Sequence, residues 1–198
     1  MTDTPGIDLD GPPSALLELP GDDAGLRDAV RGLLASWSLA RLPAAQASEH
    51  GYDERLWAGL RGEIWPRVAG PAQLRIVFEE LGVARCPLPA HSGLVQVDAA
   101  LGALGAAGAG HRRLLLDGTR RYAIGLHGAA GLPGPARVST AARRAADGRW
   151  RLSGRARYLT YADSADLLVL PARVDGPDGG RILLAAVPAA AAGVRVVT

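Results

Sequence analysis

The chain has 198 residues, with 22 arginines and no lysine against 20 acidic residues, so its formal net charge is only +2. That balance produces no strong field for polyanions, and the doublets Arg112-Arg113, Arg120-Arg121 and Arg143-Arg144 are scattered without interleaved aromatics, which argues against a nucleic-acid partner. Cys86 is the single cysteine, so an internal disulfide is excluded.

Residues 1–21 carry Pro5, Pro12, Pro13 and Pro20 and no hydrophobic period, which predicts a flexible arm. The N-terminus is acidic and has no apolar run, so no signal peptide is expected. Asp22 and Asp23 then stand where a cap would start a helix, and Leu26, Val30, Leu33, Leu34 and Trp37 follow helical spacing. A second helix is expected around Tyr52, Leu56, Trp57 and Leu60. A third runs from Pro71 through Leu74, Val77, Phe78 and Leu81 to a stop at Gly82. Pro87 and Pro89 break the pattern, and an Ala/Gly-rich fourth helix is expected from Ser92 to Leu104. Between Arg85 and Pro87, Cys86 reads as an inert structural thiol rather than a nucleophile.

Past Gly110 the periodicity changes. Tyr122–Leu126, Arg149–Leu152, Arg155–Tyr161, Leu167–Val174 and Ile182–Val187 read as strands, joined by turns at Asp117-Gly118, Ser153-Gly154, Ala162-Asp163 and Asp175–Gly180. Arg149–Leu152 and Arg155–Tyr161 look like two arms of one hairpin. The expected class is therefore α+β, with a helical domain over 22–110 and an antiparallel, barrel-like β-domain over 111–198, the boundary falling near 108–120. The C-terminal apolar run is interrupted by Pro188, Gly193 and Arg195 and is too short to span a bilayer, so the expectation is a cytoplasmic protein with no membrane partner.

Self-contained catalytic chemistry is hard to find. His50, His91, His111 and His127 stand far apart with no cysteine partner, so no metal is expected. There is no P-loop and no Gly-x-Ser-x-Gly elbow. The glycine-rich run His127–Gly134 is not followed by a helix and carries Pro133, so a dinucleotide cradle fails its context.

The run Val77-Phe78-Glu79-Glu80-Leu81-Gly82-Val83-Ala84-Arg85-Cys86-Pro87-Leu88-Pro89, and above all Asp147-Gly148-Arg149-Trp150-Arg151-Leu152-Ser153-Gly154-Arg155-Ala156-Arg157-Tyr158-Leu159-Thr160-Tyr161-Ala162-Asp163, resemble acyl-CoA dehydrogenases. The resemblance extends over about Leu26 to Thr198. It implies the helical N-terminal domain and the middle β-domain of that family, with the chain ending inside the β-domain before the C-terminal helical bundle. It also implies FAD, bound weakly or shared with a partner chain. The matching flavin elements are Ile124 and Gly125 on the first strand and Tyr158 and Thr160 on the later one. By that match Tyr158 packs on the flavin and the Thr160 hydroxyl lies near N5. From the residues alone, the two read as an ordinary strand aromatic and a β-branched strand residue.

The sequence departs from the family pattern at several places. Gly125 replaces a threonine, Leu126 a glutamate, and Ala130 or Gly131 a serine, while Ile64–Pro71 is compressed. The implied reaction is α,β-desaturation of an acyl thioester on CoA or an acyl carrier protein. Abstraction of the α-proton needs a positioned base, and none is assigned: Glu79 and Glu80 are available carboxylates but read as solvated. A full-length acyl-CoA dehydrogenase-like partner, or a homo-oligomer, is the expected assembly, with Val194–Val197 as an exposed strand edge. The alternatives are a non-catalytic scaffold or regulatory subunit, and a repurposed flavin-free protein for an acyl or polyketide-like ligand.

Overall fold

A computed structural model of the chain describes residues 23–174 and 180–197. The arm expected over 1–21, the Asp22 cap and most of the turn at Asp175–Gly180 lie outside the described residues.

Helix α1 (Ala24–Leu34) starts where the sequence places its cap: the Asp23 carboxylate accepts the Leu26 N–H at 2.9 Å, satisfying one of the orphan donors of the first turn. Its buried stripe is Leu26, Val30 and Leu34. A short helix α2 (Leu42–Gln46) follows. Helix α3 (Glu54–Gly59) is capped by Asp53 in the same way and continues into a π-helical turn over Leu60–Ile64.

Helix α4 (Pro71–Ala84) opens on the expected proline but runs through Gly82. The stop is made instead by Arg85, which adopts the left-handed conformation at φ 50°, while the Cys86 N–H returns to the Leu81 carbonyl at 3.1 Å. Burial pushes the Cys86 thiol up to about 11, consistent with an inert structural role.

The fourth expected helix is a π-helical segment, Ala90–Val97, followed by α5 (Asp98–Ala103). Helix α6 (Ala106–Leu116) has no counterpart in the sequence reading and runs through the position where the domain boundary was placed. Its glycine and alanine content hid it, yet that smallness lets it lie against α5: a side chain at Gly108 would collide with the Leu101 backbone.

The helices enclose a core of Leu26, Val30, Leu60, Ile76, Val77 and Leu94. A second core, Val97, Leu101, Leu115, Tyr122, Ile124 and Val169, joins α5 and α6 to the sheet.

The sheet contains β1 (Tyr122–Ile124), β2 (Ala141–Arg144), β3 (Trp150–Ser153), β4 (Leu167–Val174) and β5 (Ile182–Pro188). A helical part followed by a sheet is the expected order, but the pairing is mixed. β4 pairs in parallel with β1 and with β2, antiparallel with β5, and β2 pairs antiparallel with β3. On one edge of β4, Val169 O accepts from Gly125 and Arg173 N–H donates to Thr140 O. Pro171 lies between them on the same edge, facing the gap between β1 and β2, where it has no N–H to leave unpaired.

The expected hairpin of Arg149–Leu152 with Arg155–Tyr161 does not form. β3 pairs with β2, whose Ala-Ala-Arg-Arg sequence carries no strand signal. The chain leaves the sheet at Gly154 (φ 139°), and Tyr158 and Tyr161 each sit at φ 60°, which no continuous strand permits. Val194–Val197 is not a strand either.

The carboxylates expected to be solvated are engaged. Glu80 is 5% exposed, paired with Arg27 at 2.5 Å and Arg31 at 2.9 Å, which ties α1 to α4. Hydrogen bonds from Arg31 and then Arg27 hold its carboxyl below the usual range, and Arg75 and Arg27 do the same for the more exposed Glu79. Because the folded-state pKa is depressed, this contribution to stability is present above the unfolded Glu value of about 4.3 and is lost as pH falls. We expect Glu80→Gln to cost about 1.5–3 kcal/mol by weakening the charge-assisted hydrogen bonds that the buried carboxylate accepts from Arg27 and Arg31, and Glu79→Gln, at a more exposed pair, to cost much less. Urea denaturation at pH 7 and pH 4 checks this, and the gap between wild type and Glu80→Gln should narrow at the lower pH.

Candidate functional site

The exposed side of the β4–β5 sheet forms one wall of a broad trough. Leu168, Leu170, Leu183 and Val187 contribute from β4 and β5, and residues 149–163 complete its lining. At about 2230 Å³ the trough is well above the roughly 300–1,000 Å³ of a pocket that closes around a small ligand. It is an open surface.

Two of the four residues singled out by sequence reach it. The left-handed Tyr158 and Tyr161 bracket Leu159-Thr160 and throw their rings in opposite directions. Tyr161 turns inward against the helical core, its ring edge-on to Tyr52 at 5.4 Å. Tyr158 turns outward, 68% exposed, with its ring edge-on to His127 at 5.5 Å and against Gly131 of the glycine-rich loop. Thr160 is exposed on the same wall. Positive φ at a bulky aromatic is costly backbone, retained only where surrounding contacts over-determine it. Here those contacts include the Arg157 N–H donating to His127 O at 3.0 Å.

The other two residues lie beneath. Ile124 is 3% exposed in the core between helices and sheet. The Gly125 N–H donates to Val169 O at 3.0 Å, so that amide is spent within the sheet. A Cβ at position 125 would approach Leu159 at 2.8 Å and Leu170 at 3.0 Å. The space a side chain would need there is already filled.

The glycine-rich loop is held by Ser139, which sequence reasoning overlooked. Its hydroxyl accepts the Ala129 N–H at 2.7 Å and donates to Arg155 O at 2.9 Å, stitching the loop to the segment that carries Tyr158. The charge of the trough was also missed. Arg149, Arg151, Arg155, Arg157 and Arg195 contribute to its walls, against Asp163 as the only carboxylate among the described lining residues. The near-alternation of Arg149, Arg151, Arg155 and Arg157 in the sequence was the signal that could have found it.

No group of three or more histidine, cysteine or acidic side chains able to hold a metal occurs among the described residues, and none of their helices is long and apolar enough to cross a membrane.

No family model matches the chain, and no curated protein matches it. Solved structures do. A variant of the Tcur3481-Tcur3483 steroid ACAD is 29% identical with a TM-score of 0.67, covering 86% of this chain and 48% of that one. The ChsE4-ChsE5 complex from Mycobacterium tuberculosis is 20% identical with a TM-score of 0.70, over 89% of this chain and 50% of that one. A glutaryl-CoA dehydrogenase from Mycobacterium smegmatis, in complex with FADH2, is 18% identical with a TM-score of 0.59, over 88% and 47%. The chain spans about half the length of the structures it matches.

The tight packing at position 125 is testable. We expect Gly125→Thr to lose about 1–3 kcal/mol by overpacking. Shortening the neighbour should recover part of that loss, so the double variant Gly125→Thr/Leu159→Ala should be more stable than the sum of the single changes by about 1 kcal/mol. A thermodynamic cycle from chemical denaturation measures the coupling.

Proposed function

From the premise that the chain is acyl-CoA dehydrogenase-like, with the family's helical part and sheet, we propose that it is one subunit of an assembly that desaturates an acyl thioester with FAD. The observation that carries this reading is the likeness, over 86% and 89% of the chain, to a steroid ACAD and to a protein named as a two-component complex. A steroid acyl thioester is therefore the first substrate to test.

The residues present fit part of a flavin cradle. Tyr158 offers an exposed aromatic face and Thr160 an exposed hydroxyl on the trough wall, while the arginines there suit phosphate groups of a nucleotide or thioester carrier. On the strand side the fit is poorer, because the Gly125 amide is engaged by Val169 and Leu159 fills the space beside it. When bound, FAD supplies the hydride acceptor. This chain's own share is to orient the ligand on Tyr158 and Thr160 and to balance its phosphate charge.

In this reading the base comes from elsewhere in the assembly. Glu80 and Glu79 are paired with arginines on α1 and α4, and Asp163 accepts the neighbouring Ser164 N–H at 3.0 Å. A second acyl-CoA dehydrogenase-like chain would cover the trough and provide that carboxylate. The filled space at Gly125 favours, as the second reading, a subunit that keeps the fold and binds no flavin.

We expect the chain purified alone to lack flavin absorbance and its melting temperature to ignore added FAD. Co-expression with an acyl-CoA dehydrogenase-like partner should give a flavin-containing complex on size-exclusion chromatography with light scattering. Tyr158→Ala and Thr160→Ala should then lower its flavin occupancy. A yellow monomer with stoichiometric flavin would overturn the shared-site reading, and a colourless complex would select the second one.

A further inference from the structure

A second, smaller cavity lies between the helices and the sheet, next to the trough, with Tyr161 lining both. Its volume is about 60 Å³. A water needs roughly 10–15 Å³ by this kind of measure, so the space suits about four to six heavy atoms. Its wall is made by α3 and the turn after it, the end of α6 and the start of β1, with Arg61, Arg120 and Arg121 among the lining side chains and Glu54 as the carboxylate.

Arg61 is the telling residue. One of its Nη groups donates to Leu116 O at 3.1 Å, at the carbonyl end of α6, and its guanidinium stacks 5.5 Å from the centre of the Trp57 ring. It has no ion pair among the described residues, and its Nε–H is buried without a hydrogen-bond partner. Burial pulls its pKa below the ordinary arginine value. A guanidinium withdrawn from water is costly unless it is paired and hydrogen-bonded.

Arg121 repeats the pattern. It pairs with Asp166 at 3.1 Å and contacts His50, yet its Nε–H is also buried and unpartnered. Glu54 turns toward His50, with its carboxylate 3.2 Å from the His50 Nε2. Burial raises the Tyr52 phenol above its normal range and that of Tyr161 in the same direction, so both hydroxyls of this wall remain protonated at neutral pH. The cavity thus gathers the guanidinium groups of Arg61, Arg120 and Arg121 against a single lining carboxylate, Glu54, in a space of matching size.

We propose that this cavity is a binding site for a small oxyanion, a phosphate or carboxylate group, held by Arg61 and Arg121. The site is independent of the flavin reading, since it shares neither Tyr158 nor Thr160. The two donors come from different parts of the fold, so an anion bound here would tie the π-helical turn after α3 to the start of β1.

Thermal unfolding of the full chain, titrated at constant ionic strength with inorganic phosphate, acetate or coenzyme A against chloride, tests the proposal. Binding of inorganic phosphate to the wild type is followed in parallel by phosphorus NMR line broadening, which needs no variant. A saturable rise in melting temperature with any of the three ligands is the expected result. Response to phosphate or acetate identifies a free anion, and response to coenzyme A alone identifies the phosphate of a larger ligand. Arg61→Gln should weaken binding about tenfold to a hundredfold, the loss expected for hydrogen bonds to a charged group, while Arg55→Gln at an exposed position should leave it unchanged. No saturable response to any ligand, or binding undiminished in Arg61→Gln, overturns the site.

Discussion

Strand β4 is bonded along both edges, and the position of nearly everything that could bind a ligand follows from that. One edge carries β1 and then β2, the other carries β5, and β3 hangs from β2. The opening between β1 and β2 falls where Pro171 has no donor to lose, so one residue permits both strands to share an edge. β1 delivers the chain into the glycine-rich loop, and the end of β3 delivers it into the segment carrying Tyr158 and Thr160. The two meet because β1 is fixed in register to β4 directly and β3 through β2.

The helical part is attached to this sheet through apolar packing and through charge. Leu101 and Leu115 meet Ile124 and Val169 in a shared core, and Arg121, at the start of β1, contacts His50 of the helical part and pairs with Asp166. Apolar burial is non-directional and fixes distance, whereas the arginine contacts fix orientation through their donors. The Arg27–Glu80–Arg31 cluster does the same for α1 and α4. With no lysine available, every such contact uses a guanidinium, whose planar fork bridges two acceptors where an ammonium meets one at a time.

The trough is a surface of unusual composition for one left open. Leu168, Leu170 and Leu183 form its apolar wall while five arginines and the exposed Tyr158 and Trp150 surround it. Aromatic and arginine side chains around an apolar centre are the composition enriched at protein interfaces, and the same arginines suit phosphate. That double character is why the proposed covering chain and the proposed nucleotide-bearing ligand belong to one surface.

The sequence by itself determined the helix starts at Asp23 and Pro71, the helix around Leu56 and Trp57, the strands around Tyr122, Leu167 and Ile182, and the order of helices before sheet. Each is written in local chemistry, through caps, fixed φ and hydrophobic period. It also singled out Tyr158 and Thr160 through family resemblance, and both line the trough. What it could not determine was decided by contacts between residues far apart in the chain. The Ala-Ala-Arg-Arg strand β2 forms because β3 and β4 offer it partners, and α6 forms because small residues permit its approach to α5. Arg155–Tyr161 fails as a strand because Gly154 and two left-handed tyrosines turn the chain away. Glu80 is buried because two arginines of another helix neutralise it, and Gly125 is required by Leu159 and Leu170, both distant from it in the chain. Local propensity is a short-range property, whereas pairing, close approach and charge compensation exist only once the chain has folded back on itself.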